Sequence, residues 1–388
     1  MKSWMSTWLL ALSLALLAPR AFALEPIRIG FLAPYSGPFA EYGALGEGGI
    51  KAFLKLNGDS VAGRKIELIV KDTAASPEVA KRLAQEMVVR DKVDLFIVTG
   101  FTPETLTAAM VATEARKPLF ATLASSSGIT AKSPYMIRTA SSFAQTTVPL
   151  ATWLASSGVK RAATLVSDYN PGVDAETAFK AGFTAAGGQV TDSIRVPLRG
   201  PEFSPYAQRT KDAKVEAVFA FVPAGEQGVA LTKALLERGV IPAAKFATVG
   251  ELMDDHVFAT MGDAVIGSIS SGNYSVAHDS AENRAFVNAF AEVTQAKRRP
   301  TFMAVHTFDA MAVVFEVARK LQGSVDGEKF MDAAKGLKLT SPRGPITIDA
   351  QTRDIIQTVY IRRVEKVSGR LENVEFEKFA DIKETGFR

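Results

Sequence analysis

Short apolar runs alternate with longer stretches of helical period along most of this chain, and that alternation fixes the fold class before any single residue does. Residues 27–33 (IRIGFLA), set between Pro26 and Pro34, predict a first strand. In 42–56 the positions Leu45, Gly49, Phe53 and Leu56 recur at helical spacing and predict a helix. A strand over 65–71 (KIELIVK) follows, then a helix over 77–90 opened by Pro77, whose missing N–H would be unpaired in a first turn anyway. A strand over 93–99 (VDLFIVT), a helix over 104–115 and a strand over 118–123 continue the series. The register then starts again, with a helix over 144–156 and a strand over 161–167 (RAATLVS). A helix over 173–186 ends at Gly187-Gly188, and strands are predicted over 189–196 and over 217–222 (AVFAFV). A helix over 225–238 stops at Gly239, and a strand over 245–249 and a short helix over 254–261 complete the second run.

Repeated β-α units are the mark of a parallel sheet covered by helices on both faces. Two such runs predict an α/β protein of two doubly wound, Rossmann-like lobes. Helices over 281–296, 301–320 and 326–337 come without a strand between them, so they must pack on sheets already built. In a doubly wound sheet, ligands bind beyond the carboxyl ends of the strands. The segments ending on those rims are 34–43, 99–104, 123–128, 168–172, 222–225 and 250–254. If the two rims face each other, the gap between them is the site.

The first residues add a compartment. Lys2, the uncharged apolar run 8–18 (WLLALSLALLA) and Ala21-Phe22-Ala23 form a secretory leader pattern, with cleavage expected after Ala23 and a periplasmic product. The apolar run is shorter than the ~20 residues that span a bilayer. About 365 residues remain, enough for two domains of ordinary size. The chain has no cysteine, which removes thiol catalysis and thiolate metal sites. His256, His278 and His306 stand at no metal-ligand spacing. A net charge of +4 with scattered Lys and Arg gives no clustered basic face for nucleic acid.

Ile29-Gly30-Phe31, followed by SGPFAEYG over 36–43, resembles the start of the periplasmic Leu/Ile/Val-binding proteins, the type I solute-binding family of ABC importers. Val70-Lys71-Asp72-Thr73, Tyr135-Met136-Ile137-Arg138-Thr139 and Ser167-Asp168-Tyr169-Asn170-Pro171-Gly172 are similar to the family in the same order. The resemblance implies two lobes joined by three crossings, placed near Phe143, Gly272 and Pro345. Residues 24–143 with 273–345 would form lobe 1, and 144–272 with 346–388 lobe 2. It further implies a monomer without cofactor that binds an amino acid or related small carboxylate and delivers it to a membrane permease.

Carried onto this sequence, the family pattern puts the ligand carboxylate on the hydroxyls of Thr102 and Ser125 and a backbone group of Leu123. Loop amides at helix N-termini would add attraction for an anion. Thr102 also stands where a helix cap would, and the two roles are compatible. Phe101 occupies a place where many relatives carry a small hydroxyl residue; an aromatic wall there makes an aromatic or keto acid a candidate beside an α-amino acid. Tyr42 matches the tyrosine that flanks the family's pocket, and Tyr169 in the opposing loop could supply a second aromatic surface. Phe221, with Pro223, ends a strand and is a wall candidate or simply core. Glu251 matches the acidic residue that holds a substrate ammonium, and its alternative is a solvated carboxylate near a helix start.

Two rival readings were weighed against this one. Ser125-Ser126-Ser127 is not a GxSxG nucleophile elbow, and Gly46-Glu47-Gly48-Gly49 lies inside a predicted helix rather than at a strand end, which argues against a phosphate loop. A clamshell of the same kind also serves as the ligand-sensing lobe of receptors. The C-terminal stretch from Glu384 to Arg388, with no span or signalling domain after it, favours transport.

Overall fold

A computed structural model describes residues 24–384 apart from 224, 251 and 256. The expected leader and its cleavage site therefore lie outside the described residues, as do Glu251 and His256.

The first sheet has six strands: β1 (Ile27–Ala33), β2 (Ser60–Val61), β3 (Arg64–Asp72), β4 (Leu95–Val98), β5 (Leu119–Ala121) and β6 (Met136–Arg138). Their order is β2-β3-β1-β4-β5-β6, and every pair is parallel except the β2–β3 hairpin. Successive residues point to opposite faces. Phe31 and Ile97 thus join the core on one side, while Leu32 and Val98 join a second core on the other. Helices α1 (Ala40–Asn57), α2 (Pro77–Val89) and α3 (Thr102–Glu114) connect the strands.

The second sheet contains β7 (Arg161–Ser167), β8 (Gln189–Val196), β9 (Ala217–Phe221), β10 (Lys245–Val249) and β11 (Ile269–Gly272), all mutually parallel. It is completed by β12 (Lys338–Ser341), β13 (Gly344–Ile348), β14 (Ile355–Val367) and β15 (Arg370–Ile382), which pair antiparallel. The order is β12-β13-β14-β11-β10-β9-β7-β8, with β15 on β14. Helices α4 (Phe143–Ser156), α5 (Asn170–Ala185), α6 (Ser204–Asp212), α7 (Glu226–Glu237) and α8 (Phe258–Met261) cover it. The helix expected over 254–261 is thus confined to its last turn.

The strandless helices, α9 (Ala281–Val293), α10 (Phe302–Lys320) and α11 (Gly327–Ala334), return to the first sheet. Phe286, Phe290, Met303 and Phe330 share one core with Ile27, Ile29 and Phe31. The glycine-rich 46–49 stretch makes that return possible. A Cβ on Gly49 would sit 2.0 Å from the Ala304 carbonyl oxygen, and one on Gly48 would sit 2.6 Å from the Phe290 ring. These glycines let α9 and α10 approach α1 closely, which is their physical role in the helix.

Not anticipated from sequence were β2, β6, α6, β11, the β12–β13 hairpin and the long β14–β15 hairpin. The β12–β13 hairpin bonds into the second sheet yet buries Ile348 in the core of the first, beside Leu337 and Leu339.

Candidate ligand-binding cleft

Each sheet has a point where the chain reverses its direction of winding. From β1 the chain goes to β3 on one side and then to β4 on the other; from β7 it goes to β8 on one side and then to β9 on the other. The loops after β1 and β4, and after β7 and β9, diverge at these points and leave crevices. The two crevices meet. Tyr42, Phe101, Thr102, Leu123 and Ser125 from the first rim line the same cleft as Tyr169, Pro171 and Pro223 from the second. Phe143 and Phe302 complete the lining.

On the first rim the aromatic rings form a cluster. Phe101 lies edge-on to Phe39 with centroids 4.8 Å apart and is 5.8 Å from Tyr42. The backbone holds Phe101 in place: its N–H donates to the Glu104 carboxylate at 2.9 Å, and the Thr73 hydroxyl donates to the other Glu104 oxygen at 2.6 Å. Burial raises the Glu104 pKa above the usual carboxylate range. Phe101 itself is the N-cap of α3, so Thr102 does not cap the helix; its hydroxyl instead lies 3.0 Å from that of Ser126. The Ser125 hydroxyl donates to the Leu123 carbonyl at 2.9 Å, and the Ser125 carbonyl accepts from the Phe143 N–H at 2.9 Å.

On the second rim Tyr169 precedes α5 and stacks on Phe221, with centroids 6.3 Å apart and planes 11° apart. Phe221 is fully buried, packs on Phe143 and does not line the cleft, so it is core that backs Tyr169. Phe302 was not singled out from sequence. It opens α10 immediately after the N-cap Thr301, and a helix assigned only to packing hid its first residue.

A second, small chamber adjoins the first, sharing Ser125, Phe143 and Phe302. Its character is polar. The Asn273 amide nitrogen lies 2.7 Å from the Ser141 hydroxyl, 2.8 Å from His306 Nε2 and 2.8 Å from Gln357 Oε1. Gln357 Nε2 donates to the same Ser141 oxygen at 3.0 Å. His306 Nδ1 lies 3.1 Å from the Thr122 carbonyl, which assigns the proton to Nδ1 and leaves Nε2 to accept from Asn273. Burial, assisted by Arg343, holds the His306 pKa well below the usual imidazole value, so the ring is neutral. Behind it, Arg343 and Asp309 form an ion pair at 2.7 Å, both side chains being 1% exposed. Arg343 also donates to the Thr139 carbonyl at 2.8 Å and to Gln357 Oε1.

Arg362 on β14 lines this chamber too. Its Nε donates to the Ser270 hydroxyl at 3.2 Å and its Nη1 to the Tyr274 carbonyl, while the buried Nη2 has no hydrogen-bond partner. The guanidinium lies against two bare backbones: a Cβ on Gly250 would fall 2.4 Å from Nη2, and one on Gly272 would fall 2.8 Å from Cζ. Close by, burial and then the Asp254 charge raise the Asp255 pKa to about 6.

Comparison with known proteins agrees with this architecture. Residues 26–370 match the periplasmic binding protein family model. The chain is 35% identical over 383 residues to the Leu/Ile/Val-binding protein homolog 6 of Brucella melitensis, covering 98% of each. Among solved structures, it is 46% identical to an ABC-transporter solute-binding protein of Rhodopseudomonas palustris BisB5 in complex with 3,4-dihydroxybenzoic acid. That superposition has a TM-score of 0.88 and covers 93% of this chain and 99% of the other. A second R. palustris ABC-transporter solute-binding protein, in complex with 4-hydroxybenzoate, is 37% identical with a TM-score of 0.89 and the same coverage. With two doubly wound sheets whose crevices share one cleft, and with a family match that spans most of its length, the chain belongs to the periplasmic binding protein family and is a solute-binding component of an ABC transporter.

Proposed function

We propose that this protein captures a benzoate-class aromatic carboxylate in the periplasm and delivers it, unaltered, to the permease of an ABC importer. The observation that carries this reading is the pairing of aromatic walls across the cleft: Tyr42, Phe101 and Phe302 on one side, Tyr169 on the other. A planar ring between such walls buries both faces, and rings gain about 0.5–1.5 kcal/mol beyond area burial in offset or edge-on contacts. The Thr102–Ser126 hydroxyl pair and Ser125 stand beside the rings and would receive the carboxylate. The related R. palustris proteins carry hydroxylated benzoates, which supports the same ligand class here.

The same proposal has the leader 1–23 removed after Ala23 and the chain working as a monomer, with lobe 1 formed by 24–143 and 273–345 and lobe 2 by 144–272 and 346–388, the β12–β13 hairpin bonding into the sheet of lobe 2. Ligand contacts from both rims favour the closed form and so shift an open–closed equilibrium about the crossings.

A second reading, an α-amino acid, is favoured by Glu251 following Val249-Gly250, and the Brucella relative is named as a Leu/Ile/Val-binding homolog. A buried ammonium needs such a carboxylate. Calorimetry of the purified mature protein against benzoate, 4-hydroxybenzoate, leucine and phenylalanine separates the two. The expected result is one tight site for the benzoates, none for leucine, and recovery of the ligand unchanged. Tight leucine binding without benzoate binding overturns the aromatic-acid reading, and conversion of a bound compound overturns transport.

A further inference from the structure

We propose that the polar chamber adjoining the cleft is a separate subsite that takes an oxygen substituent of the ligand's ring, with Arg362 and Ser141 as its donors. The inference rests on the aromatic-acid reading and adds what the substituent meets.

The chamber opens into the aromatic cleft past Ser125, Phe143 and Phe302, so a ring held between the walls can extend a substituent into it. The Ser141 oxygen lies 2.7 Å from the Asn273 amide nitrogen and 3.0 Å from Gln357 Nε2, both donors, so its own proton remains to donate. Asn273 and His306 are engaged with each other, and the second His306 nitrogen is engaged with Thr122. Arg362 supplies the other donor. Its side chain is buried, two of its nitrogens are satisfied, and Nη2 is orphaned beside Gly250, which also lines the chamber. A buried donor without a partner is costly, and an acceptor delivered by a ligand recovers that cost on binding.

Charge decides which acceptor fits. Asp254, Asp255 and Glu375 all act on Arg362 electrostatically, although burial outweighs them and lowers its pKa. A second carboxylate would bring one more negative charge among these acids. A hydroxyl oxygen brings none and can accept from both donors. The chamber therefore selects hydroxylated over plain benzoates and over benzene-1,4-dicarboxylate.

The test is calorimetry with benzoate, 4-hydroxybenzoate and benzene-1,4-dicarboxylate on the wild type, on Ser141→Ala and on Arg362→Met. The wild type should bind 4-hydroxybenzoate most tightly of the three. Ser141→Ala should weaken 4-hydroxybenzoate about five- to tenfold more than benzoate, and Arg362→Met should abolish the preference between them. Equal losses for both acids in Ser141→Ala, or tighter binding of the dicarboxylate, overturn the subsite. Should Arg362→Met not fold, the Ser141→Ala comparison alone decides. A wild type that binds no benzoate at all fails the parent reading and the subsite with it, whereas benzoates bound without preference sink the subsite only.

Discussion

The two ends of the cleft are built by different means. The aromatic end is built on segments that follow strand ends: Tyr42 in the first turn of α1 beyond β1, Phe101 beyond β4, Tyr169 beyond β7. The rings offer surface rather than direction. The polar end is made where segments pass between the sheets: Ser141 before α4, Asn273 after β11, Arg343 in the β12–β13 turn and Gln357 on β14. There nearly every polar atom is claimed by another, from Asp309 through Arg343 and Gln357 to Asn273 and His306. Grip and selectivity are thus divided. Area burial at the outer end holds the ring, and fixed donors at the inner end read what is attached to it.

The largest expected effect breaks the inner end. Arg343→Leu leaves Asp309, 1% exposed, without its cation. Removing one partner of a buried pair costs about 3–5 kcal/mol. The urea midpoint of the free protein should fall accordingly, and Arg343→Leu with Asp309→Leu should regain much of the loss. A single variant within about 1 kcal/mol of wild type would show that this network is not what ties the crossing segments together.

Next is a pH effect at the same end. The Asp255 carboxyl ionises near 3.8 when unfolded and at about 6 in the fold, because it is buried beside Asp254, with Arg362 and Arg299 only partly offsetting this. Between those values the folded form holds a proton that the unfolded form has lost. Stability therefore falls as pH rises through the window, by about 3 kcal/mol, and is level above it. Asp255→Asn should flatten that slope when urea midpoints are compared between pH 4 and pH 7. An unchanged slope would place the ionisation elsewhere.

The same division explains what could be read from sequence. The rim segments that hold Tyr42, Phe101 and Tyr169 were legible because a strand ending in a turn announces a rim, local to its own β-α unit, and the family resemblance then singled out residues within them. The four strands 27–33, 161–167, 189–196 and 245–249 were legible to the residue, since they are apolar or alternating runs bounded by turn residues. The polar chamber was not legible. Ser141, Asn273, His306 and Arg362 belong to four distant segments, and nothing in any one of them points to the others. Arg362 sits in β14, where Arg362-Arg363 interrupts the apolar run and conceals a long strand. Phe302 was counted as a helix start that packs on a sheet, and only the meeting of the two crevices shows that it faces a ligand site.

The smallest effect sharpens the comparison most, because it asks whether the outer end grips from both sides. Tyr42→Leu and Tyr169→Leu should each weaken a benzoate by about 0.5–1.5 kcal/mol, since each removes one ring from the clamp. The two side chains come from opposite rims, and a ligand they share, with the closure it favours, would couple them. Calorimetry on the two single variants and the double variant should give a combined loss that departs from the sum of the separate ones. Strict additivity would mean that one wall binds and the other is a bystander. The ring would then lie on a single lobe, and the division between an outer grip and an inner reader would have no closing motion behind it.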